Sequence, residues 1–342
     1  MPQGSKRQYG ILSEVARAAG VSQGTVSKVV HGRRDVGAQT RKRVEELLDT
    51  HGYVRPQGQT RRKRVYVVFR DLRSPYTHEI ARHIVDAALA NGIEPTIGTT
   101  EHRAISHWLE ACESAGSLGL VLVISMMSDL DQQRVRDQHV PVVLLDPLAE
   151  PMAGVSSLGV TNWQGGHDAV RHLIDLGHTR VGAISGRPHS PAGAARMHGY
   201  RAALHEAAIE YNRDLVRTTD FDYDESISAS LELLGLAEPP TAIFATSDSQ
   251  ALGTLEAARR LGVVVPDMLS VISFDDTTAA ATASPPLTAI RQPYDELGQA
   301  AIRVLMDLSA GVAVPDRVEL ATTLSLRQST APPSKALKAK AR

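Results

Sequence analysis

Three aspartates stand at the ends of apolar runs: Asp146 closes VPVVLLD, Asp248 follows TAIFATS and Asp275 closes LSVISFD. A carboxylate at a strand end can accept hydrogen bonds from paired hydroxyls, as on a sugar ring or a ribose. The same placement suits a helix cap or a turn, and Asp248 in particular is placed to cap a helix starting near Gln250. A second group lies near the N-terminus. Ser22, Gln23, Gly24, Thr25, Ser27 and Lys28 are short or donor-rich, and Val26, Val29 and Val30 recur among them at three- and four-residue spacing. That spacing predicts a helix with one buried side. Its polar side can approach base edges and phosphates, although a small helical hairpin with a solvated face reads the same way.

The elements that position these groups can be read outward from them. Leu12 to Ala19 places Val15, Ala16 and Ala19 on one face, with Ser13 near the start as a cap. Gly20 supplies a sharp stop, and Ser22 caps the next helix. A third helix begins with Thr40 as its cap, carries Val44, Leu47 and Leu48, and ends at Gly52 and Tyr53. Charge separates this region from the rest. Residues 1–64 hold 14 Lys and Arg against 5 Asp and Glu, a net of +9, whereas residues 65–342 carry 23 against 33, a net of −10. A basic head on an acidic body implies a polyanion-binding module attached to something with a different task. In the body, VYVVF (65–69), LGLVLVIS (118–125), VPVVLLD, RVGAISG (180–186), TAIFATS and LSVISFDD alternate with helical periodicity. Continuous apolar runs predict parallel strands buried on both faces, and their number predicts two α/β lobes with a cleft between strand ends.

The run Val15-Ala16-Arg17-Ala18-Ala19-Gly20-Val21-Ser22, followed by Thr25-Val26-Ser27-Lys28-Val29-Val30 and Thr40-Arg41-Lys42-Arg43-Val44, closely resembles the headpiece of the lactose-repressor (LacI/GalR) family. PPTAIFATSDSQALG, LGVVVPDMLSVISFDD and SPPLTAIRQP follow in the family's order, as do Asn162-Trp163-Gln164-Gly165-Gly166, Leu176-Gly177-His178 and Arg196 with Gly199-Tyr200. The resemblance spans residues 11–328. It implies a small all-α helix-turn-helix headpiece (1–55) plus an α/β periplasmic-binding-protein-like effector domain (65–330) of two doubly wound parallel-sheet lobes. Lobe 1 would comprise about 65–161 and 293–324, and lobe 2 about 162–292 and 325–330, with crossings near Asn162, Arg291 and Ser325. By the same resemblance, Gln23, Gly24 and Lys28 match base-reading positions. Ser22, Thr25 and Ser27 are expected at phosphates, and His31 completes the DNA-facing set. Tyr76, Thr77, Asp146, Trp163, Arg196, Phe221, Ser247 and Asp275 are the expected effector-binding residues. Ser247 stands where family members often carry Asn.

The basic linker 56–64 departs from the family. Arg55-Pro56-Gln57-Gly58-Gln59-Thr60-Arg61-Arg62-Lys63-Arg64 lacks the leucine that members insert into the minor groove, and Gly58 disfavours a helix. Arg61, Arg62 and Arg64 then either follow phosphates or a narrow minor groove, or lie in a solvated tether. Residues 331–342 read as a disordered basic tail without leucine heptads, which makes a homodimer the default. The lone Cys112 gives no disulfide or cysteine-based zinc site and reads as a small buried hydrophobe. No metal site, cofactor or catalytic constellation is read, and GxGxxG, HExxH and GxSxG are missing. With no signal-peptide core and no apolar stretch of roughly 20 residues, a cytoplasmic protein without membrane contact is expected. The reading is therefore a repressor-type transcriptional regulator, not an enzyme. Its partners are an inverted-repeat double-stranded DNA operator and a small effector, a sugar or sugar derivative. A two-lobed solute-binding protein or a sugar-processing enzyme remain as alternatives.

Overall fold

The computed structural model describes residues 4–30, 36–51, 63–138, 140–149, 154–187 and 190–334. The chain forms two compact units, Met1–Arg62 and Lys63–Arg342.

The first unit contains α1 (Gly4–Ala19), α2 (Gln23–Val30) and α3 (Ala38–Thr50). Their shared core is small: Val15, Ala16 and Ala19 of α1, Val26 and Val29 of α2, and Val44 and Leu48 of α3. The turn after α1 works because Gly20 adopts φ +69°, a left-handed value that a side chain would strain, and lets Val21 N reach Ala16 O at 3.0 Å. Two expected caps are displaced. The first helix begins at Gly4 and carries Gly10 inside it, so Ser13 lies within the helix rather than at its start. Likewise, α3 starts at Ala38 and Arg41 N already donates to Gly37 O at 2.9 Å, which places Thr40 inside the first turn.

The second unit consists of two six-stranded sheets covered by helices. Its first part runs β1 (Lys63–Phe69), α4 (Pro75–Ala90), β2 (Ile93–Thr99), α5 (Ile105–Ala115), β3 (Gly119–Val123), α6 (Asp129–Gln138), β4 (Val142–Leu145) and β5 (Ser156–Val160). The chain then crosses to α7 (Asn162–Asp175), β6 (Val181–Ser185), α8 (Pro191–Glu206), β7 (Val216–Thr218), α9 (Tyr223–Leu234), β8 (Ala242–Ala245), α10 (Asp248–Leu261), β9 (Ser270–Asp275), α11 (Thr278–Ala281) and β10 (Thr288–Arg291). It returns through α12 (Tyr294–Ser309) to β11 (Arg317–Leu320) and crosses again to β12 (Thr323–Ser325). The sheet orders are β11-β5-β4-β3-β1-β2 and β12-β10-β9-β8-β6-β7, parallel except for β12 against β10. Central strands β3, β4, β6, β8 and β9 are buried throughout, which is why they read as unbroken apolar runs.

Three boundaries differ from the sequence expectation. Lys63 and Arg64 belong to β1, where Arg64 lies beside Glu94 at 4.0 Å, so Arg64 is part of the sheet rather than of the linker. The third crossing falls between Leu320 and Thr323, because all of β12 pairs with β10 in the second sheet. The supposed tail is anchored at its start: Ala331 N donates to Ser270 Oγ at 3.0 Å, and Ala331 O lies 2.9 Å from His178 Nε2. Residues 335–342 lie outside the described residues. Cys112 is buried, and burial pushes its thiol up to about 11. Among the described residues no helix is long and apolar enough to cross a membrane, and no cluster of three His, Cys, Asp or Glu side chains could hold a metal ion.

Helices α7 and α8 pack with almost no space between their backbones. A Cβ at Gly166 would stand 2.2 Å from Arg196 O, and one at Gly199 would stand 2.2 Å from Trp163 O. The glycines of two sequence motifs are thus partners across one helix contact. Gly199→Ala is expected to cost about 1–3 kcal/mol by overpacking. The check is the thermal unfolding midpoint of the full chain, and an unchanged midpoint would show that the helices can part freely.

Candidate functional site

The helix-turn-helix face is built by α2 and its cap. Ser22 Oγ accepts from Thr25 N at 3.1 Å and lies 2.9 Å from Thr25 Oγ1, satisfying an amide at the helix start. Burial of Val26 and Val29 turns the opposite face outward: Ser22, Gln23, Gly24 and Lys28 are exposed, while Thr25 and Ser27 are half-buried. Gln23 Nε2 donates to Ser13 Oγ of α1, a role for Ser13 that helical spacing did not reveal. His31, Arg61 and Arg62 lie outside the described residues.

In the second unit a cavity of about 460 Å³ opens between the two sheets at the carboxyl ends of their strands. Tyr76, Thr77, Asp146, Arg196, Phe221, Ser247 and Asp275 all line it. Each is fixed locally. Ser74 caps α4 by accepting from Thr77 N at 3.2 Å, with Pro75 in the first turn, and this sets Tyr76 and Thr77 at the cleft. Tyr76 OH donates to Asp146 Oδ2, and Asp146 follows β4 in a left-handed conformation, φ +46°. Phe221 is also left-handed, φ +56°, with its ring against Gly186, where a Cβ would meet Phe221 Cζ at 1.8 Å. Arg196 is 5% exposed. Its guanidinium lies 3.6 Å over the Phe274 ring, donates from Nε to Asn162 Oδ1 at 2.8 Å and from Nη1 to Thr246 O at 2.6 Å, and faces Asp275 Oδ1 at 3.5 Å.

Two expected placements change. Ser247, not Asp248, caps α10, accepting from Gln250 N at 3.3 Å. Asp248 is the first residue of α10 and is buried beneath the cleft, where it accepts from Ser273 Oγ at 2.6 Å and from Thr277 N and Oγ1 at 2.7 Å. Trp163 does not line the cleft. It borders a neighbouring chamber of about 380 Å³ and stacks on His167 at 5.3 Å and 14°.

Several groups at the site had no distinguishing sequence signal, since their partners are remote in the chain. Gln292 Nε2 donates to Asp275 Oδ1 at 2.7 Å. Arg70, after β1, faces Asp220 of the other lobe at 3.6 Å across the mouth of the cleft. Glu79, one turn beyond Tyr76 on α4, accepts from Thr278 N at 3.0 Å and Thr278 Oγ1 at 2.5 Å, so a lobe 1 carboxylate caps α11 of lobe 2. Burial opposes ionisation of Glu79, but the bonds from Thr278 and Arg82 outweigh it and hold the group down at about 2.

The deep carboxylates behave in the opposite way. Burial pushes Asp275 up to about 7 against the pull of Arg196, with the neighbouring Asp248 charge adding to the rise. Asp248 is pushed up to about 6, again by burial first. Asp146 is raised by burial despite its bond from Tyr76, and the Tyr76 phenol is raised well above its usual range by burial and by Asp146.

A helix-turn-helix unit joined to two parallel-sheet lobes that enclose a polar cleft is the make-up of a ligand-responsive transcriptional regulator. Residues 11–56 match the family described as bacterial regulatory proteins, lacI family, and residues 170–330 match the periplasmic binding protein-like domain. The HTH-type transcriptional regulator CelR of Thermobifida fusca is 33% identical over 341 residues, covering 95% of this chain and 99% of CelR. The HTH-type transcriptional repressor CytR of Escherichia coli K12 is 31% identical over 310 residues, 88% of this chain and 90% of CytR. The solved CelR–cellobiose complex superposes with a TM-score of 0.71 at 32% identity, covering 93% of this chain and 99% of that one. The lac repressor dimer bound to operator and an anti-inducer gives 0.71 at 26% identity, covering 93% and 98%. The chain belongs to the lacI family. It is a transcriptional regulator rather than an enzyme or a free solute-binding protein.

Two outcomes follow from the titrating groups. Asp275 and Asp248 ionise less readily folded than unfolded, where the value is about 3.9. They therefore contribute full stability below about pH 4, and it is lost as pH rises through about 6 and 7. His172 and His178, lowered by burial, act in the opposite direction. The readout is consequently the difference between wild type and Asp275→Asn. The variant is expected to gain thermal stability relative to wild type between pH 5 and pH 8, and parallel profiles would rule out the assignment. Glu79 has a lowered folded value, so its cap on α11 is in place above about pH 4.5 and fails only as pH falls towards 2. At neutral pH, Glu79→Ala is expected to speed amide exchange at Thr278 by about tenfold or more, measured by hydrogen–deuterium exchange of Thr278–Ala281. Unchanged protection there would mean that the lobes are held by other contacts.

Proposed function

We propose that this regulator acts in the cytoplasm as a homodimeric repressor, and that a carbohydrate or sugar derivative bound in the cleft sets its affinity for an inverted-repeat operator. Gln23 and Lys28 read base edges, Gly24 allows close backbone approach, and Ser22, Thr25 and Ser27 hold phosphates. Of the remaining basic groups, His31, Arg61 and Arg62 are assigned to DNA on sequence grounds alone. Arg64, built into β1, is left out of that set. The observation that carries the effector reading is the pairing of Tyr76 with Asp146 from one lobe and of Arg196 with Asp275 from the other, all on one cavity. Together they present a hydroxyl, two carboxylates and a guanidinium with Phe221 beside them, a set suited to a ring bearing adjacent hydroxyls. The CelR structure with cellobiose supports a sugar, and the operator-bound lac repressor dimer supports a two-fold dimer on DNA.

The effector acts through its difference in affinity between lobe arrangements. A gel-shift titration with promoter fragments, repeated with a panel of sugars, tests both halves. Specific retardation by an inverted repeat, changed by one class of sugar, is expected. Lys28→Ala should weaken specific binding by about 1–3 kcal/mol with little change in non-specific binding, because Lys28 is exposed and outside the headpiece core. Retardation without sequence preference at any salt concentration would overturn the operator reading. An Arg196→Lys variant that keeps its full response to the active sugar would overturn the cleft assignment.

A further inference from the structure

Beside the effector cleft lies a second chamber that the cleft reading does not use. The chamber, about 380 Å³, runs beneath the first crossing, between the end of β5, the start of α7, the first turns of α8 and the edge strand β11. Asp146 and Ala192 line both spaces, so they meet at the Asp146 carboxylate. That carboxylate is turned to both sides. Its Oδ2 accepts from Tyr76 in the cleft, while its Oδ1 lies against Gly159 of β5, where a Cβ would approach it to 3.3 Å.

The chamber has a built platform. Trp163 is 44% exposed in a unit whose other tryptophan, Trp108, is buried. One indole face is covered by His167, which stacks on it at 5.3 Å and is itself held by Glu206 at 2.9 Å and Asp168 at 3.4 Å. An indole fixed from behind and bordering a chamber of mixed apolar and polar lining is the arrangement that takes the apolar face of a sugar ring. Arg317, Glu319 and Gln164 line the same chamber and offer donors and acceptors for the ring's hydroxyls. The ion pair between Arg317 and Glu319, at 2.7 Å, holds both on the β11 edge. Each space alone falls within the range of small-molecule pockets, about 300–1,000 Å³, and the shared wall at Asp146 sets them side by side.

We propose that the effector is a saccharide of at least two rings, the first in the cleft between Tyr76 and Asp275 and the second in this chamber, stacked on Trp163. The proposal rests on the cleft reading above and extends it to the length of the ligand and the residue that measures that length. Trp163 then discriminates oligosaccharides from their component monosaccharides, and Asp146, shared by the two spaces, sits at the junction between rings.

The test uses the full chain labelled with 5-fluorotryptophan. It has two tryptophans and therefore two fluorine resonances, assigned with Trp163→Phe. Glucose, galactose, cellobiose, maltose, lactose and cellotriose are titrated, with calorimetry in parallel. The expected result is that a di- or trisaccharide moves the Trp163 resonance and leaves Trp108 in place. Trp163→Ala should weaken that ligand about three- to tenfold while changing affinity for any single-ring ligand less than twofold. A saccharide that binds by calorimetry, loses binding in Asp275→Asn and leaves the Trp163 resonance unmoved would overturn the two-ring assignment while the cleft reading stands. A monosaccharide that by itself produces the full Trp163 shift would also overturn it. If no saccharide binds, the cleft reading fails, and the extension fails with it.

Discussion

Two adjacent carboxylates at the end of β9 constrain nearly everything else in the second unit. Asp275 and Asp276 have φ of +117° and +61°, and this backbone turns their side chains to different duties. Asp275 points to the cleft, where Arg196 and Gln292 attend it. Asp276 is fully buried and meets Arg291 at 2.8 Å, Arg327 at 2.5 Å and Ser325 at 2.8 Å, all from segments that cross or flank the hinge. A buried carboxylate is tolerated only when charge and hydrogen bonds compensate its lost hydration. The end of β9 is therefore where the second and third crossings are tied to the ligand site.

Arg196 extends the same logic to the first crossing. Its Nε bond to Asn162 reaches the start of α7, and its backbone carbonyl packs against Gly166 of that helix. A hydroxyl that competes for Asp275 or Arg196 thus acts on groups connected to all three crossings. This gives a physical route from a ligand to lobe geometry, in which the ligand biases which packed arrangement of the lobes is populated.

Much of this was legible in the sequence, for identifiable reasons. Buried parallel strands are apolar on both faces, so β3, β4, β6, β8 and β9 announced themselves. The valine spacing of α2 gave its inner side, and Gly20 its turn. The family resemblance, rather than any periodicity, placed Asp146, Arg196 and Asp275 together at the cleft. What could not be read depended on distance in the chain or on local hydrogen bonding. Capping by Ser247 and burial of Asp248 differ by one residue and look alike as letters. Arg64 carried the charge pattern of a linker, yet strand pairing with β2 claimed it, because β-pairing depends on a partner some thirty positions away. The start of α1 was not read because the apolar spacing begins only near Leu12, while the helix runs on through polar residues and Gly10 to Gly4. Trp163 is expected among the effector-binding residues, yet it borders the neighbouring chamber instead of the cleft, because its position at the start of α7 does not reveal which side of the crossing its ring takes.

The lobes touch beside the ligand site through two contacts: Glu79 of one caps α11 of the other, and Arg70 faces Asp220 across the mouth. Any parting of the lobes breaks both, so the free energy of opening includes the loss of a helix cap and of an ion pair. A ligand that favours the joined arrangement adds its binding energy to contacts the chain already makes without it.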